Sequence, residues 1–272
     1  MSDGVWVCTS AFGRTAGSAN GQIQAVEWIA ASGAQGVEIR EELLDERPGM
    51  LASLADALRR SGLSTVYSCA RPLFSDNGQL DGDRFLAACE RAVMLGIRRI
   101  KVGLGNLSLD GLDSALPALV ALFEPLEVGV SIENDQTPGG GDPRHHQALH
   151  QALAERLPSS SRPHATLDLG NGCWTGHALD DSARRLAPWL GYVHCKQGVW
   201  RDGQWHASAP DEATLAHWAA LWVNWPANLA RAIEFPVTPD ALSAWVSTLS
   251  SLSNGGFTAP DTTAACCQER IS

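Results

Sequence analysis

The chain has 272 residues, 44% of them apolar, and a formal net charge of −10, a size that accommodates one α/β domain of about 250 residues. The charge repels phosphate backbones, and the Lys and Arg residues form no basic stripe interleaved with aromatics, which excludes nucleic acid as an expected partner. There is no run of about 18 apolar residues to cross a bilayer, and residues 1–10 lack the basic and apolar regions of a signal peptide, so a soluble, cytoplasmic protein is expected.

In chain order, short β-branched runs at residues 5–9, 37–40, 65–69, 99–103, 128–133, 165–169, 192–196 and 232–236 read as strands. Between them, residues 22–32, 50–61, 84–95, 112–123, 145–157 and 215–223 repeat apolar side chains every three or four positions and read as helices. Gly33, Gly62 and Gly96 each close a helical pattern just before a strand, where a left-handed residue ends the helix. Eight βα units with right-handed crossovers predict a (β/α)8 TIM barrel over residues 1–252. A doubly wound sheet is disfavoured, because the nearest thing to a dinucleotide-binding turn is Gly103-Leu-Gly105, read as a loop after the fourth strand.

Gly139-Gly140-Gly141 could approach a phosphate through backbone N–H groups but reads more readily as a flexible loop, because no helix-start Ser, Thr or Lys follows directly, and His145 and His146 read as solvent-facing at the start of the next helix. Residues 198–210, with Asp202-Gly203 between Trp200 and Trp205, predict a hairpin or lid after the seventh strand. Residues 253–272 lose all periodicity and predict a disordered tail, which holds Cys266 and Cys267. The seven cysteines show no zinc-finger spacing, and an odd number suits a reducing compartment.

Strand parity picks out the chemistry. Alternate residues of a barrel strand point inward, and in 130–133, 167–169, 193–195 and 233–235 the polar residue between apolar neighbours is the inward one. Glu133, Asp168, His194 and Glu234 therefore face the interior at the C-terminal ends of strands five to eight, where barrel active sites are built. Three carboxylates and one imidazole suit Mn²⁺ or Mg²⁺, with Co²⁺ or Zn²⁺ as alternatives, and leave coordination positions for substrate.

Other residues reach the same mouth by parity. Lys196 follows His194 by two and could hold a carboxylate, phosphate or developing oxyanion. Glu38, Arg40 and Lys101 suit either substrate binding or a salt bridge between strands. Asp135 shares the parity of Glu133 and suits a supporting role. Trp174 suits covering a sugar face or simple packing, and Arg201 lies in the hairpin or lid.

The Glu, Asp, His, Glu order, at spacings of 35, 26 and 40 residues, resembles the xylose isomerase-like barrels of sugar isomerases and epimerases, to about residue 250. Val37-Glu-Ile-Arg-Glu-Glu-Leu, Ile132-Glu-Asn-Asp-Gln-Thr-Pro and Tyr192-Val-His-Cys-Lys look similar to epimerase-like proteins associated with 2-ketogluconate utilisation. The resemblance implies one divalent metal on the four residues and proton transfer by Glu133 and Glu234 on opposite faces of a sugar or sugar acid. Asn171 departs from the family, where many members carry a histidine three residues after the aspartate. It can hydrogen-bond a substrate hydroxyl but not shuttle a proton, and it weighs against the DNA-repair endonucleases of this fold. A dehydratase using the same metal and base, or a non-catalytic sugar-binding barrel, are the alternatives, and a homo-oligomer is allowed.

Overall fold

The computed structural model describes residues 4–18, 20–226 and 228–252. In chain order the strands are β1 (Val5–Cys8), β2 (Gly36–Arg40), β3 (Ser64–Ser68), β4 (Arg99–Gly103), β5 (Gly129–Glu133), β6 (His164–Asp168), β7 (Leu190–Cys195), β8 (Gln197–Arg201), β9 (Gln204–Ser208) and β10 (Ala230–Ile233). The α-helices are α1 (Gly21–Ala31), α2 (Met50–Ser61), α3 (Gly82–Met94), α4 (Leu109–Phe123), α5 (Pro143–Arg156), α6 (Gly172–Thr175), α7 (Leu179–Leu186), α8 (Glu212–Trp222) and α9 (Pro239–Ser251). Eight strands close in parallel as β1-β10-β7-β6-β5-β4-β3-β2, while β8 and β9 pair only with each other, antiparallel. The expected (β/α)8 barrel is present. The expected disordered tail at 253–272 lies outside the described residues, and no helix among those described is long and apolar enough to cross a membrane.

Local chemistry sets the element ends. Gly33, Gly62 and Gly96 have φ of +85°, +67° and +77°, the left-handed turns expected at αβ connections. Ser108, Asp142 and Asp211 accept backbone N–H bonds as side-chain caps of α4, α5 and α8, and Pro143 opens α5 where no amide hydrogen is needed. The hairpin turn at Asp202 (φ 52°) and Gly203 (φ 77°) takes two consecutive left-handed residues, the geometry that suits the twist of a two-residue hairpin.

Two cores result. The large one lies between the outward strand faces and the helices. The small one fills the barrel itself: Trp6, Cys8, Val66, Tyr192, Ala230 and Ala232 form a separate buried cluster, with Trp6 set edge-on to Tyr192 at 5.8 Å. Gly36 makes this possible, since a Cβ there would lie 2.3 Å from the Trp6 ring. This apolar plug occupies the lower half of the barrel, and the polar cluster stands on top of it.

Two expectations are corrected. His146 is fully buried rather than solvent-facing. It shares an inward stripe with Leu149, His150 and Leu153, and its Nε2 lies 2.8 Å from the Gly140 carbonyl. Burial pushes His146 down to about 4 and His150 to about 3. Residues 139–141 form a compact turn, not a loose loop. Their three N–H groups donate to Asn106 Oδ1, Thr137 Oγ1 and the Thr137 carbonyl, so none is free to cradle a phosphate.

Candidate metal centre

Parity at the strand ends brings Glu133, Asp168, His194 and Glu234 together, and each offers one ligand atom within 4.8 Å of the others. Each is held by its own neighbours. Asp168 Oδ1 accepts the backbone N–H groups of Gly170 and Asn171, both at 2.8 Å, which turns Oδ2 toward the centre. His194 sits between carboxylates. Its Nε2 lies 2.8 Å from Glu38, and its Nδ1 lies 2.9 Å from Glu133 and 3.1 Å from Glu234.

The two glutamates are held alike. Lys101 donates to Glu133 Oε2 at 2.6 Å, leaving Oε1 facing His194. Arg40 donates to Glu234 Oε1 at 2.7 Å, leaving Oε2 facing His194. Lys196 lies 2.9 Å from Glu234 Oε2 and 2.9 Å from Asp168 Oδ2, the latter without the alignment of a hydrogen bond. Glu38, Arg40, Lys101 and Lys196, all named from parity, therefore surround the cluster as a network of ion pairs.

The electrostatics follow from crowding. Burial alone raises a carboxylate, but Lys101 and His194 outweigh it at Glu133, and Lys196, His194 and Arg40 outweigh it at Glu234, so both stay below the usual range. Asp168 goes the other way. Burial, with Glu234 and Glu133 beside it, pushes it up to about 7 against the pull of Lys196. Burial opposes charge on His194, yet Glu38, Glu234 and Glu133 raise it well above 6.5. Four carboxylates (Glu38, Glu133, Asp168 and Glu234) thus face four cationic groups (Arg40, Lys101, Lys196 and His194), and Asp168 is the carboxylate whose charge burial opposes most effectively.

Four expected site residues lie outside this cluster. Asn171 donates to the Asn134 carbonyl at 2.7 Å and accepts from Gln136, tying the loops after β5 and β6 together. Asp135 turns to the loops, accepting from Gly105 N at 2.6 Å and from Thr137, and burial raises its carboxyl. Arg201 is exposed at the hairpin tip, with no ion pair among the described residues. Trp174 stands at the rim, 5.9 Å below Lys196 Nζ and packed on Trp205 of the hairpin at 6.2 Å.

Sequence reasoning missed Asn134, which accepts from Asp168 N at 2.6 Å and donates to its carbonyl, and Cys8, whose Sγ lies 4.0 Å from His194 Nε2. Cys8 shares the inward parity of strand one, a signal that was available. Burial pushes its thiol up to about 12.

No protein-family model and no curated protein sequence matches the chain. Solved structures do match. An L-ribulose 3-epimerase superposes with a TM-score of 0.67 at 16% identity, covering 93% of this chain and 96% of that one. A xylose isomerase domain-containing protein from Salmonella typhimurium gives 0.60 at 14%, covering 92% and 94%. The fold is that of the xylose isomerase-like TIM barrels. A probable 3-DHS dehydratase involved in petrobactin synthesis, from Bacillus anthracis, has the same fold, with 0.64 at 14% and 91% and 98% covered.

The donor set fits a divalent cation. It offers three hard carboxylates and one imidazole, with Asp168 Oδ2 buried and lacking a hydrogen bond.

Proposed function

We propose that the chain is a divalent-metal-dependent isomerase or epimerase of a sugar or sugar acid. The observation that carries this reading is the matched pair of glutamates, each anchored through one oxygen on a cation, buried Lys101 or partly buried Arg40, and each turning the other toward His194 Nδ1. Paired, anchored carboxylates on either side of a binding position are what a two-sided proton transfer requires.

In this reading Glu133, Asp168, His194 and Glu234 hold the metal. When bound, the metal polarises a carbonyl and its neighbouring hydroxyl and so acidifies the C–H between them. Glu133 serves one face of that carbon and Glu234 the other. Removing a proton from one face and returning one to the opposite face inverts the centre, and returning it to the adjacent carbon moves the carbonyl. Lys101 and Arg40 fix the two carboxylates in orientation. Lys196, between the metal position and Trp174, meets a carboxylate or developing oxyanion of substrate, and Trp174 covers a sugar face. A keto-aldonate or its phosphate is the substrate class suggested by sequence resemblance, and Mn²⁺ or Mg²⁺ is the metal suggested by the donors.

A second reading, loss of a β-hydroxyl as water, is favoured by the dehydratase named among the structural neighbours. Incubating Mn²⁺-loaded protein with panels of ketoses and keto acids in D₂O separates the two. Deuterium exchange with conserved mass composition supports the isomerase, and loss of water supports the dehydratase. Neither exchange nor turnover on any panel member rejects both.

A further inference from the structure

The opposite end of the barrel holds a cavity of about 350 Å³, bounded by Val66 and Tyr192 of the apolar plug and opening between the starts of β4, β5, β6 and β7. The interior of such a barrel is ordinarily filled by layers of side chains. Here the lowest layer is thin. β5 contributes Gly129, whose missing Cβ would meet nothing closer than 3.8 Å, and Gly191 of β7 leaves room for His164, since a Cβ there would lie 2.7 Å from His164 Cβ. Into this space the strands present Arg99, Ser131 and His164.

The charge of the cavity is one-sided. Arg99 is partly buried, and no carboxylate among the described residues pairs with it or lines the cavity, whereas the adjacent Arg98 turns outward to Glu127. In a chain of net charge −10, a concave site with a guanidinium and no acid is selective for anions, and a guanidinium offers paired donors to an oxyanion. The volume is that of a small-metabolite pocket. His164 and Asp168 are the two ends of β6, so about 13 Å of strand and the plug separate this cavity from the acidic cluster.

We propose that the N-terminal mouth of the barrel is a second binding site, which takes a small carboxylate- or phosphate-bearing metabolite on Arg99 independently of the acidic centre. Titration calorimetry of the full chain with inorganic phosphate and, separately, with succinate at constant ionic strength tests this and distinguishes the two anions. Saturable binding of at least one of them is expected. Arg99→Gln should weaken it by about tenfold or more. Gly129→Val, which keeps the charge and fills the open space beside Arg99, should weaken it comparably, so the outcome does not depend on one variant folding. Lys196→Met, at the other mouth, should leave it unchanged. Binding that survives both Arg99→Gln and Gly129→Val, or that disappears in Lys196→Met, overturns the proposal. So does the absence of saturable binding of either anion up to about 10 mM.

Discussion

The Glu38 carboxylate lies 2.8 Å from Nε2 of His194, although 156 residues separate the two in the chain. A carboxylate on one ring nitrogen fixes the histidine tautomer, so that Nδ1 presents its lone pair to a metal. Glu38→Gln should therefore weaken Mn²⁺ binding by about 10–100-fold while leaving the circular dichroism spectrum unchanged. Competition against a fluorescent chelator measures this. Unaltered metal affinity would show that Glu38 serves only the ion-pair network.

Lys196 touches Asp168 and Glu234, and its two proposed roles, substrate contact and charge compensation, predict different readouts. Lys196→Met should lower turnover by about 10²-fold if the contact strengthens in the transition state. It should also lower the Tm of metal-free protein, where Asp168 loses its cation and Glu234 keeps only Arg40, but leave metal-loaded Tm nearly unchanged. A marked fall in metal-loaded Tm with full turnover of the folded fraction would assign Lys196 to structure alone.

The buried histidines of α5 make an acid-sensitive element outside the four proposed metal ligands. His150 is pushed down to about 3 in the fold, against about 6.5 in an unfolded chain. The unfolded state therefore binds the extra proton, and the contribution of His150 is full above pH 6.5 and is lost as pH falls toward 3. The stability difference between wild type and His150→Leu should change by about 1.4 kcal/mol per pH unit between pH 6 and 4. Urea titrations at several pH values give that slope directly, and a pH-independent difference would mean that His150 does not titrate on unfolding.

Trp6 and Gly36 are mutually dependent. Gly36→Ala places a methyl group 2.3 Å from the Trp6 ring and should cost about 1–3 kcal/mol through overpacking. Adding Trp6→Leu to Gly36→Ala should recover part of that loss, giving a coupling of about 0.5 kcal/mol or more in a double-mutant cycle. Strict additivity would locate the strain elsewhere.

Strand parity carried much of the site, because the period of two is rigid inside a barrel strand. It placed Glu133, Asp168, His194 and Glu234 inward, and Glu38, Arg40 and Lys101 beside them. Parity stops being a guide where the strand ends. Asp135 lies two residues past β5, and its side chain turns to Gly105 and Thr137, whereas Lys196, one residue past β7, still reaches the cluster. Nor does parity name partners, since it is the closing β1–β10 pair that brings Glu38 of β2 round to His194 of β7. Helix α7 is short and rich in charge, and α9 begins after strand ten with Thr238 and Pro239, a start signal available in the sequence but not used. The burial of His146 was also legible, in its spacing of three, four and seven residues from Leu149, His150 and Leu153.

The hairpin of β8 and β9 contributes Trp205 to the rim above Trp174, yet none of its ladder bonds belong to the barrel. Its two strands satisfy each other, and the turn at Asp202-Gly203 is closed by local backbone geometry alone. Barrel closure thus places no demand on the hairpin's length or on the identity of its outward residues. What lies over the mouth can be exchanged, lengthened or trimmed while Glu133, Asp168, His194 and Glu234 keep their positions, and under the proposed function this would make substrate choice separable from reaction chemistry.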